Sequence, residues 1–266
     1  MGAPGGETSG SVLLREDRDG VAHLVLNRPG ARNALSVELL EALAAAIENI
    51  REDRTARVVV LSGSGPDFCA GHDLKEMRAH PDPDWQRALF RRCSDVMLAL
   101  MGLPKVVIAR VHGMATAAGC QLVATCDLAL AARSARFATP GVNIGLFCST
   151  PMVALSRAVG RKRALHMLVT GEALGAEDAA RAGLINRTVD DAELDDAVGA
   201  LARAIAEKSP HTLAVGKRAF YRQLELDIEG AYAYAGEVMA KSMASADAAE
   251  GIDAFLGKRD PIWRGE

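Results

Sequence analysis

Short apolar runs alternate with amphipathic segments through the first half of the chain. Four runs are almost entirely apolar, which is typical of strands buried on both faces: residues 21–26, 58–61, 106–111 and 127–132. Apolar residues recur with helical spacing over residues 37–49 and 84–101, which predicts two helices between these strands. Ser36 is placed to cap the first helix. Strands that alternate with helices favour an α/β fold.

The pattern changes at Thr150. A short strand is predicted before it, and nearly every later segment has helical spacing: strand 135–137, then helices 151–159, 161–169, 176–182, 192–207, 210–224, 228–244 and 247–255. We therefore predict a mixed core over residues 12–200 and a helical C-terminal region over 201–266. Residues 1–11 are rich in Gly and Ser, which predicts a disordered tail.

Composition narrows the possible partners. The chain has 266 residues, 49% of them hydrophobic, which is enough for a sizeable core. A formal net charge of −3 gives no electrostatic reason to expect nucleic acid or an anionic membrane as a partner, and no apolar run reaches the length of a membrane span. Five cysteines without a C-x-x-C pair indicate reduced thiols and a cytoplasmic protein. Six histidines without metal-ligand spacing predict no metal site.

Two segments are the most informative about chemistry. Residues 68–76 read F-C-A-G-H-D-L-K-E, and residues 105–127 contain K-V-V-I-A-R-V-H-G, then A-T-A-A-G-C-Q-L, and end on C-D. Each segment is predicted to be an apolar strand whose end, made of small residues, leads into a helix. Such a turn directs free backbone N–H groups into a cleft, so two facing turns can hold one developing oxyanion.

Together these segments resemble the motifs of the enoyl-CoA hydratase/isomerase family, also called the crotonase family. Further matches follow in the family's order: F-A-T-P at 137–140, L-V-T-G-E at 168–172, a helix and turn at 176–185, and F-L-G-K-R at 255–259. The resemblance implies a crotonase-like spiral of ββα units with a helical C-terminal trimerisation region, giving a homotrimer or a dimer of trimers. It also implies an acyl-CoA substrate and no cofactor beyond the coenzyme A of that substrate.

The resemblance implies roles for individual residues. The two N–H groups of the family's oxyanion hole correspond here to His72 and Ala118. The family's coenzyme A contacts in the first loop correspond to Ala70, His72, Asp73, Leu74 and Lys75. Phe255 and Lys258 resemble a pair that reaches the coenzyme A bound in a neighbouring subunit.

The two glutamates that hydratases of this family use correspond to Gln121 and Gly141. Glutamine can hydrogen-bond a water but cannot take its proton at neutral pH, and glycine has no side chain. Because general acid–base catalysis contributes about a hundred- to ten-thousandfold, standard hydratase activity is expected to be weak or absent. Glutamates at both positions are expected to restore it if the pocket is otherwise competent. Three segments are similar to one branch of the family that shares both losses.

Three interpretations stay open at this level. The chain is an enzyme that acts on an acyl-CoA thioester through another proton carrier, a non-catalytic acyl-CoA binder or regulator, or a trimeric structural protein with a vestigial pocket. His72 is predicted to be partly exposed toward the coenzyme A entrance. Ser149 and Thr150 are predicted to cap the helix that follows them.

Overall fold

The computed structural model describes residues 10–266 of the chain. Most of the predicted disordered tail, residues 1–9, lies outside the described residues, so that part of the sequence analysis stays a prediction.

The described strands and helices follow one another along the chain without long gaps. The strands are β1 (Leu13–Arg18), β2 (Val21–Leu26), β3 (Val58–Gly63), β4 (Val106–Val111), β5 (Met114–Thr116), β6 (Leu128–Ala132), β7 (Arg136–Ala138), β8 (Leu174–Gly175) and β9 (Arg187–Val189). The helices are α1 (Val37–Glu52), α2 (Leu74–Ala79), α3 (Pro83–Met101), α4 (Ala118–Thr125), α5 (Pro151–Ala158), α6 (Arg161–Thr170), α7 (Ala176–Ala182), α8 (Leu194–Ala206), α9 (Pro210–Gln223), α10 (Ile228–Met243) and α11 (Ala246–Leu256).

The strands form two sheets that the chain visits in turn. The large sheet has the order β1-β2-β3-β4-β6-β9, with an antiparallel hairpin at β1-β2 and parallel pairs after it. The small sheet has the order β5-β7-β8. From β4 to β7, successive strands alternate between the large and the small sheet. A chain that returns in this way to the same two layers, with helices between the returns, winds as a spiral.

Both faces of the large sheet are covered. On one face, β2, β3 and β4 pack with α1, α3 and α4 in the main core. On the other face, Val58, Val60 and Ile108 pack with Leu194 and Val198 of α8. Because both faces are largely covered, these strands are apolar at nearly every position, which is the pattern read from the sequence.

The structure confirms the type of every predicted strand and helix and corrects several ends. The strand predicted from Asp127 begins one residue later, at Leu128, where pairing with Ile108 starts, and the Asp127 carboxylate accepts the N–H of Val107 at 2.7 Å. The strand β1 was not predicted, since five of its six residues are exposed and most are charged, as suits the edge of a sheet. The predicted boundary at residue 200 lies inside α8, and the division into two regions stays a prediction.

A buried ion pair anchors α9 to the rest of the molecule. The Lys217 Nζ lies 2.7 Å from Oδ2 of Asp127, and the Tyr221 hydroxyl donates to Oδ1 at 2.8 Å. Lys217 also donates to the carbonyls of Leu100 and Lys105, both at 2.9 Å. Its side chain is only 6% exposed. Burial lowers the pKa of Lys217, although Asp127 acts in the opposite direction.

Candidate active site

The two informative segments lie side by side. Cys69 and Ala115 form a parallel bridge in which the Cys69 N–H donates to the Met114 carbonyl at 3.1 Å and the Thr116 N–H donates to the Cys69 carbonyl at 2.9 Å. Both segments therefore reach their terminal turns at the same place, as the sequence predicted.

Gly71 allows the first turn to pass close to the second. Its φ is +88°, in the left-handed region that glycine adopts without steric cost. A Cβ on Gly71 would lie 2.9 Å from the Cβ of Ala117 and 3.1 Å from the backbone nitrogen of Ala118. A larger residue at this position would push the two turns apart.

Pairing with the loop before α1 leaves the N–H of His72 unused. The Leu35 N–H donates to the Gly71 carbonyl at 2.7 Å, and the Asp73 N–H donates to the Leu35 carbonyl at 3.2 Å. These bonds are made by the residues on either side of His72. Within residues 10–266 the His72 N–H has no hydrogen-bond acceptor, so it is available to a ligand.

The N–H of Ala118 is available because this residue opens α4, where no earlier turn of helix supplies a carbonyl. Ala117, just before it, has φ 51° and ψ −117°, a conformation that residues with a Cβ rarely adopt. The Ala117 N–H is held by the Ala138 carbonyl at 2.9 Å. The backbone strain of the second turn therefore lies at Ala117 and leaves Ala118 in a regular helical position.

The two turns open onto a cavity of about 460 Å³. Ala70, His72, Leu74, Ala118 and Gly141 all line it, so the structure brings together five of the predicted site residues. Its wall is mostly apolar. Among the described residues, no Asp, Glu, Lys or Arg lines the cavity, and its only ionisable side chains belong to His72 and Cys148.

The ring of His72 packs edge-on against Phe90, with ring centroids 5.3 Å apart and planes at 87°. Neither ring nitrogen has a hydrogen-bond partner among the described residues, and neither is in contact with solvent. Burial lowers the pKa of His72 to about 4, although the nearby Leu35 backbone acts in the opposite direction, so the ring is neutral at pH 7. The residue as a whole is half-buried, as predicted, but its nitrogens do not face an open entrance.

The carboxylates of the first segment are used to start helices. Asp73 caps α2 by accepting the N–H groups of Lys75 and Glu76 at 3.1 and 3.3 Å, and it pairs with Arg28 at 3.0 Å. Burial opposes the charge, but Arg28 and the helix N–H groups lower the pKa of Asp73. Glu76 accepts the Val37 N–H at the start of α1 at 3.0 Å. Neither carboxylate lines the cavity, so neither replaces the missing glutamates there.

Gln121 does not line the cavity. It lies one turn along α4 from Ala118 and is 5% exposed. Its Oε1 has no hydrogen-bond partner among residues 10–266. The side chain is therefore buried with an unpaired oxygen and is not part of the cavity wall.

Gly141 lines the cavity but has no room for a side chain. A Cβ at this position would lie 2.5 Å from the Leu146 carbonyl oxygen and 2.9 Å from the Cys148 Sγ. The loop is closed here because the Leu146 N–H donates to the Gly141 carbonyl at 2.9 Å. A side chain at residue 141 therefore requires the loop to shift, because its Cβ would meet a backbone carbonyl. The expectation that two glutamates restore hydration stays a prediction.

Besides Asp73, three predicted coenzyme A contacts lie away from the cavity of their own chain. Lys75 is exposed on the first turn of α2. Phe255, near the end of α11, is 83% exposed, and Lys258 follows that helix in an exposed position. None of the three lines the cavity. Their contact with coenzyme A stays a prediction.

Ser149 and Thr150 line the cavity, but the prediction that they cap α5 is wrong. The Thr150 side chain makes no capping hydrogen bond, and the Ser149 hydroxyl donates to the Phe147 carbonyl at 3.3 Å. Pro151 opens α5 instead, and its missing N–H removes one donor that would need a cap.

Several wall residues were missed by sequence reasoning. Phe90 and Met77 reach the cavity only through the packing of α2 and α3, which no motif reports. A usable signal did exist in the loop before α5. Ile144, Leu146 and Phe147 are 58%, 49% and 46% exposed, and adjacent apolar side chains in an exposed loop indicate a ligand surface.

Residues 10–266 contain no group of three or more His, Cys, Asp or Glu that could hold a metal ion. None of their helices is both long and apolar enough to cross a membrane. All five cysteines are free and buried, and burial raises the pKa of the thiol that lines the cavity, Cys148.

Comparison with known proteins gives consistent matches along nearly the whole chain. The model of the enoyl-CoA hydratase/isomerase family matches residues 16–266. A solved structure of an enoyl-CoA hydratase from Mycobacterium smegmatis is 57% identical with a TM-score of 0.93, and the match covers 95% of this chain and 98% of that one. The structure of human enoyl coenzyme A hydratase domain-containing protein 3 is 45% identical with a TM-score of 0.92, covering 95% of this chain and all of that one. The rat protein of the same name, described as mitochondrial, is 44% identical over 97% of this chain and 86% of its own length.

These matches confirm the crotonase-like fold and identify the branch indicated by the sequence as that of domain-containing protein 3. Members of the family need no cofactor beyond the coenzyme A of their substrate. Since the family model spans nearly every described residue, this chain belongs to the enoyl-CoA hydratase/isomerase family.

Proposed function

We propose that this chain binds acyl-CoA thioesters with the thioester oxygen held by the N–H groups of His72 and Ala118, and that standard hydration is weak or absent. The observation that carries the proposal is the combination of two free N–H groups with a cavity wall that contains no carboxylate. In hydratases of this family, two glutamates hold the water and move the protons. Here the corresponding residues are a buried Gln121 and a crowded Gly141.

The two N–H groups fit a thioester because its carbonyl oxygen accepts charge. Fixed N–H donors at an oxyanion contribute about 3 kcal/mol each to transition-state stabilisation. In a ligand-binding protein the same donors orient the carbonyl. The apolar wall beyond them, including Leu74 and Phe90, suits the hydrocarbon part of an acyl group.

A non-catalytic binder is favoured over an enzyme with another proton carrier. The ionisable side chains that line the cavity are His72, whose pKa burial lowers to about 4, and Cys148, whose pKa burial raises. At pH 7 the imidazole is a weak base and the thiol is protonated. Neither is suited to take a proton from water.

Calorimetry with free CoA, butyryl-CoA and crotonyl-CoA tests the binding, and loss of crotonyl-CoA absorbance tests the hydration. Both esters are expected to bind more tightly than free CoA, with hydration at least about a hundredfold slower than that by a two-glutamate family member. Failure of both esters to bind contradicts the proposal. Hydration at a rate equal to the two-glutamate enzyme contradicts its second half.

A matched pair of variants locates the binding. Leu74 is 53% exposed on the cavity wall, and Leu14 is 44% exposed on the edge strand β1. Leu74→Asp places a charge against the apolar acyl group and is expected to weaken ester binding at least about tenfold, since burying an unpaired charge is costly. Leu14→Asp adds the same charge elsewhere and is expected to leave the affinity unchanged.

We further propose a homotrimer, alone or paired as a dimer of trimers. This proposal is supported by an apolar stripe on α10 made of Ile228, Tyr232, Met239 and Met243, which are 74%, 75%, 64% and 57% exposed. Their spacing puts them on one face of the helix. Burial of such an apolar face against another subunit is favourable. Phe255, which is exposed and nearby in sequence, fits the predicted contact with a neighbouring subunit.

The compartment also stays a proposal. The sequence predicts a cytoplasmic protein, whereas the rat relative carries the description mitochondrial in its name. Fractionation of cells that express the full chain distinguishes the two locations.

A further inference from the structure

The imidazole of His72 has unmet hydrogen-bonding capacity at the edge of the acyl cavity. Both ring nitrogens are closed to solvent and have no partner among residues 10–266. The ring makes an edge-on contact with Phe90, which supplies packing but no acceptor for the ring N–H. A buried polar group without a partner destabilises the structure that contains it. A new partner for the ring would therefore be favoured.

The protein around the ring offers few partners, whereas the cavity can hold one. The Leu35 backbone lies close enough to the ring to oppose the effect of burial on its pKa, but neither ring nitrogen forms a hydrogen bond with it. Phe90, which contacts the ring, and Leu74 and Met77 on the same cavity wall exchange no conventional hydrogen bonds. The wall's other polar side chains, such as those of Asn143 and Ser149, are exposed and belong to the loop before α5. A ligand in the cavity is thus the natural source of a donor and an acceptor for this ring.

We propose that His72 is a specificity-determining residue, whose ring turns toward a bound acyl-CoA and hydrogen-bonds an oxygen atom at C3 of the acyl group. This inference rests on the proposed function, because it requires a thioester in the cavity. The backbone N–H of His72 is assigned to the thioester oxygen at C1. Its side chain, which leaves the same Cα, has a short reach and serves only the first few acyl carbons.

The protonation state selects the chemistry of the preferred ligand. A neutral imidazole has one donor and one acceptor nitrogen, and a hydroxyl group likewise both donates and accepts. A saturated acyl chain offers the ring nothing, so it leaves the nitrogens unpaired. The preferred ligand class is therefore a short acyl-CoA with a hydroxyl at C3 over the corresponding saturated acyl-CoA.

Calorimetry with 3-hydroxybutyryl-CoA, each enantiomer separately, and butyryl-CoA isolates the hydroxyl. The unaltered chain is expected to bind one enantiomer about five- to tenfold more tightly than butyryl-CoA, the fold-change that corresponds to about 1–1.4 kcal/mol. His72→Phe keeps a flat ring against Phe90 but removes both nitrogens, so the ratio of the two affinities is expected to fall to about one. His72→Gln supplies a donor and an acceptor again and is expected to recover most of the preference.

The affinity ratio separates specificity from a merely structural role, since a general loosening of the cavity weakens both esters. Thermal melting of each variant checks that it folds, and ¹³C-labelled histidine spectra of the unaltered chain provide a second measurement. The His72 signal, identified by its absence in His72→Gln, is expected to shift more with the hydroxylated ester than with butyryl-CoA. Should His72→Phe fail to fold, this signal carries the test, and equal shifts with the two esters refute the role of His72.

Each unfavourable outcome has a distinct meaning. If butyryl-CoA binds and neither hydroxylated enantiomer binds more tightly, the role of His72 is refuted while the proposed function stands. A preference that persists in His72→Phe refutes the role as well. If none of the esters binds, the proposed function fails and the inference falls with it.

Discussion

At the residue scale, the backbone at the second turn departs most clearly from ordinary geometry. Ala117 has φ 51° and ψ −117°. Its Cβ would lie 2.9 Å from a Cβ added to Gly71. Strain of this kind costs about 1–3 kcal/mol and persists when neighbouring contacts hold it. Here the holding contacts are the Ala138 carbonyl on one side and the start of α4 on the other.

Ala117→Gly is expected to raise the free energy of unfolding by about 1 kcal/mol. Glycine adopts this conformation freely, and the gain exceeds the extra entropy that it gives the unfolded chain. Urea unfolding at one protein concentration measures the effect. The control is Ala118→Gly, which puts glycine into a regular helical position and is expected to lower the free energy of unfolding by about 0.5–1 kcal/mol. Equal effects of the two substitutions would contradict the assignment of strain to Ala117.

At the scale of elements, α9 is joined to the core by the ion pair and the hydrogen bonds of Lys217. No residue of α9 is buried as a whole. The side chain of Lys217, however, is only 6% exposed, and it pairs with Asp127. Asp127 also accepts the Val107 N–H at the start of β4. One carboxylate thus connects the sheet strand β4 to α9.

Removal of the lysine charge is expected to be severe. Lys217→Met leaves Asp127 buried without its cation, which costs about 3–5 kcal/mol of unfolding free energy. Thermal and urea unfolding at a fixed protein concentration measure the loss. Lys208→Met, at an exposed position between α8 and α9, removes the same charge and is expected to change stability by less than about 0.5 kcal/mol. A Lys217→Met protein as stable as the Lys208→Met protein would disprove the anchoring role.

The elements also show what sequence reasoning could reach. Helix α1 was predicted because its local spacing and the capping residue Ser36 determine it, and α10 was predicted from its local spacing alone. The family motifs predicted that His72 and Ala118 lie on facing turns, since motifs that occur in the family's order indicate the family's spiral fold. By contrast, the Lys217–Asp127 pair joins residues ninety positions apart, and the crowding at Gly141 comes from a carbonyl in the same loop. Neither leaves a periodic or compositional signal.

At the scale of the whole molecule, the apolar stripe on α10 determines the expected assembly. The chain has a mass of 28.1 kDa, and light scattering after gel filtration is expected to give three or six times that mass. Tyr232→Lys with Met239→Lys adds two positive charges to the stripe and is expected to yield smaller species. Glu237→Lys changes the net charge by the same amount on another face of α10 and is expected to leave the mass unchanged. A monomeric unaltered chain would rule out the assembly.

The crowding around Gly141 constrains how a chain of this kind can change its chemistry through mutation. A substitution that places a carboxylate at this position also has to displace the Leu146 carbonyl, which lies 2.5 Å from where the first side-chain carbon must go. The loop has to shift before the new side chain fits, and a shifted loop without a carboxylate is expected to bring no hydratase activity for selection to retain. The mutational path to hydration therefore contains a step that gives no benefit by itself. Selection does not favour that step, so a lineage that carries this loop is expected to keep it. A laboratory design has to change the loop and the carboxylate together.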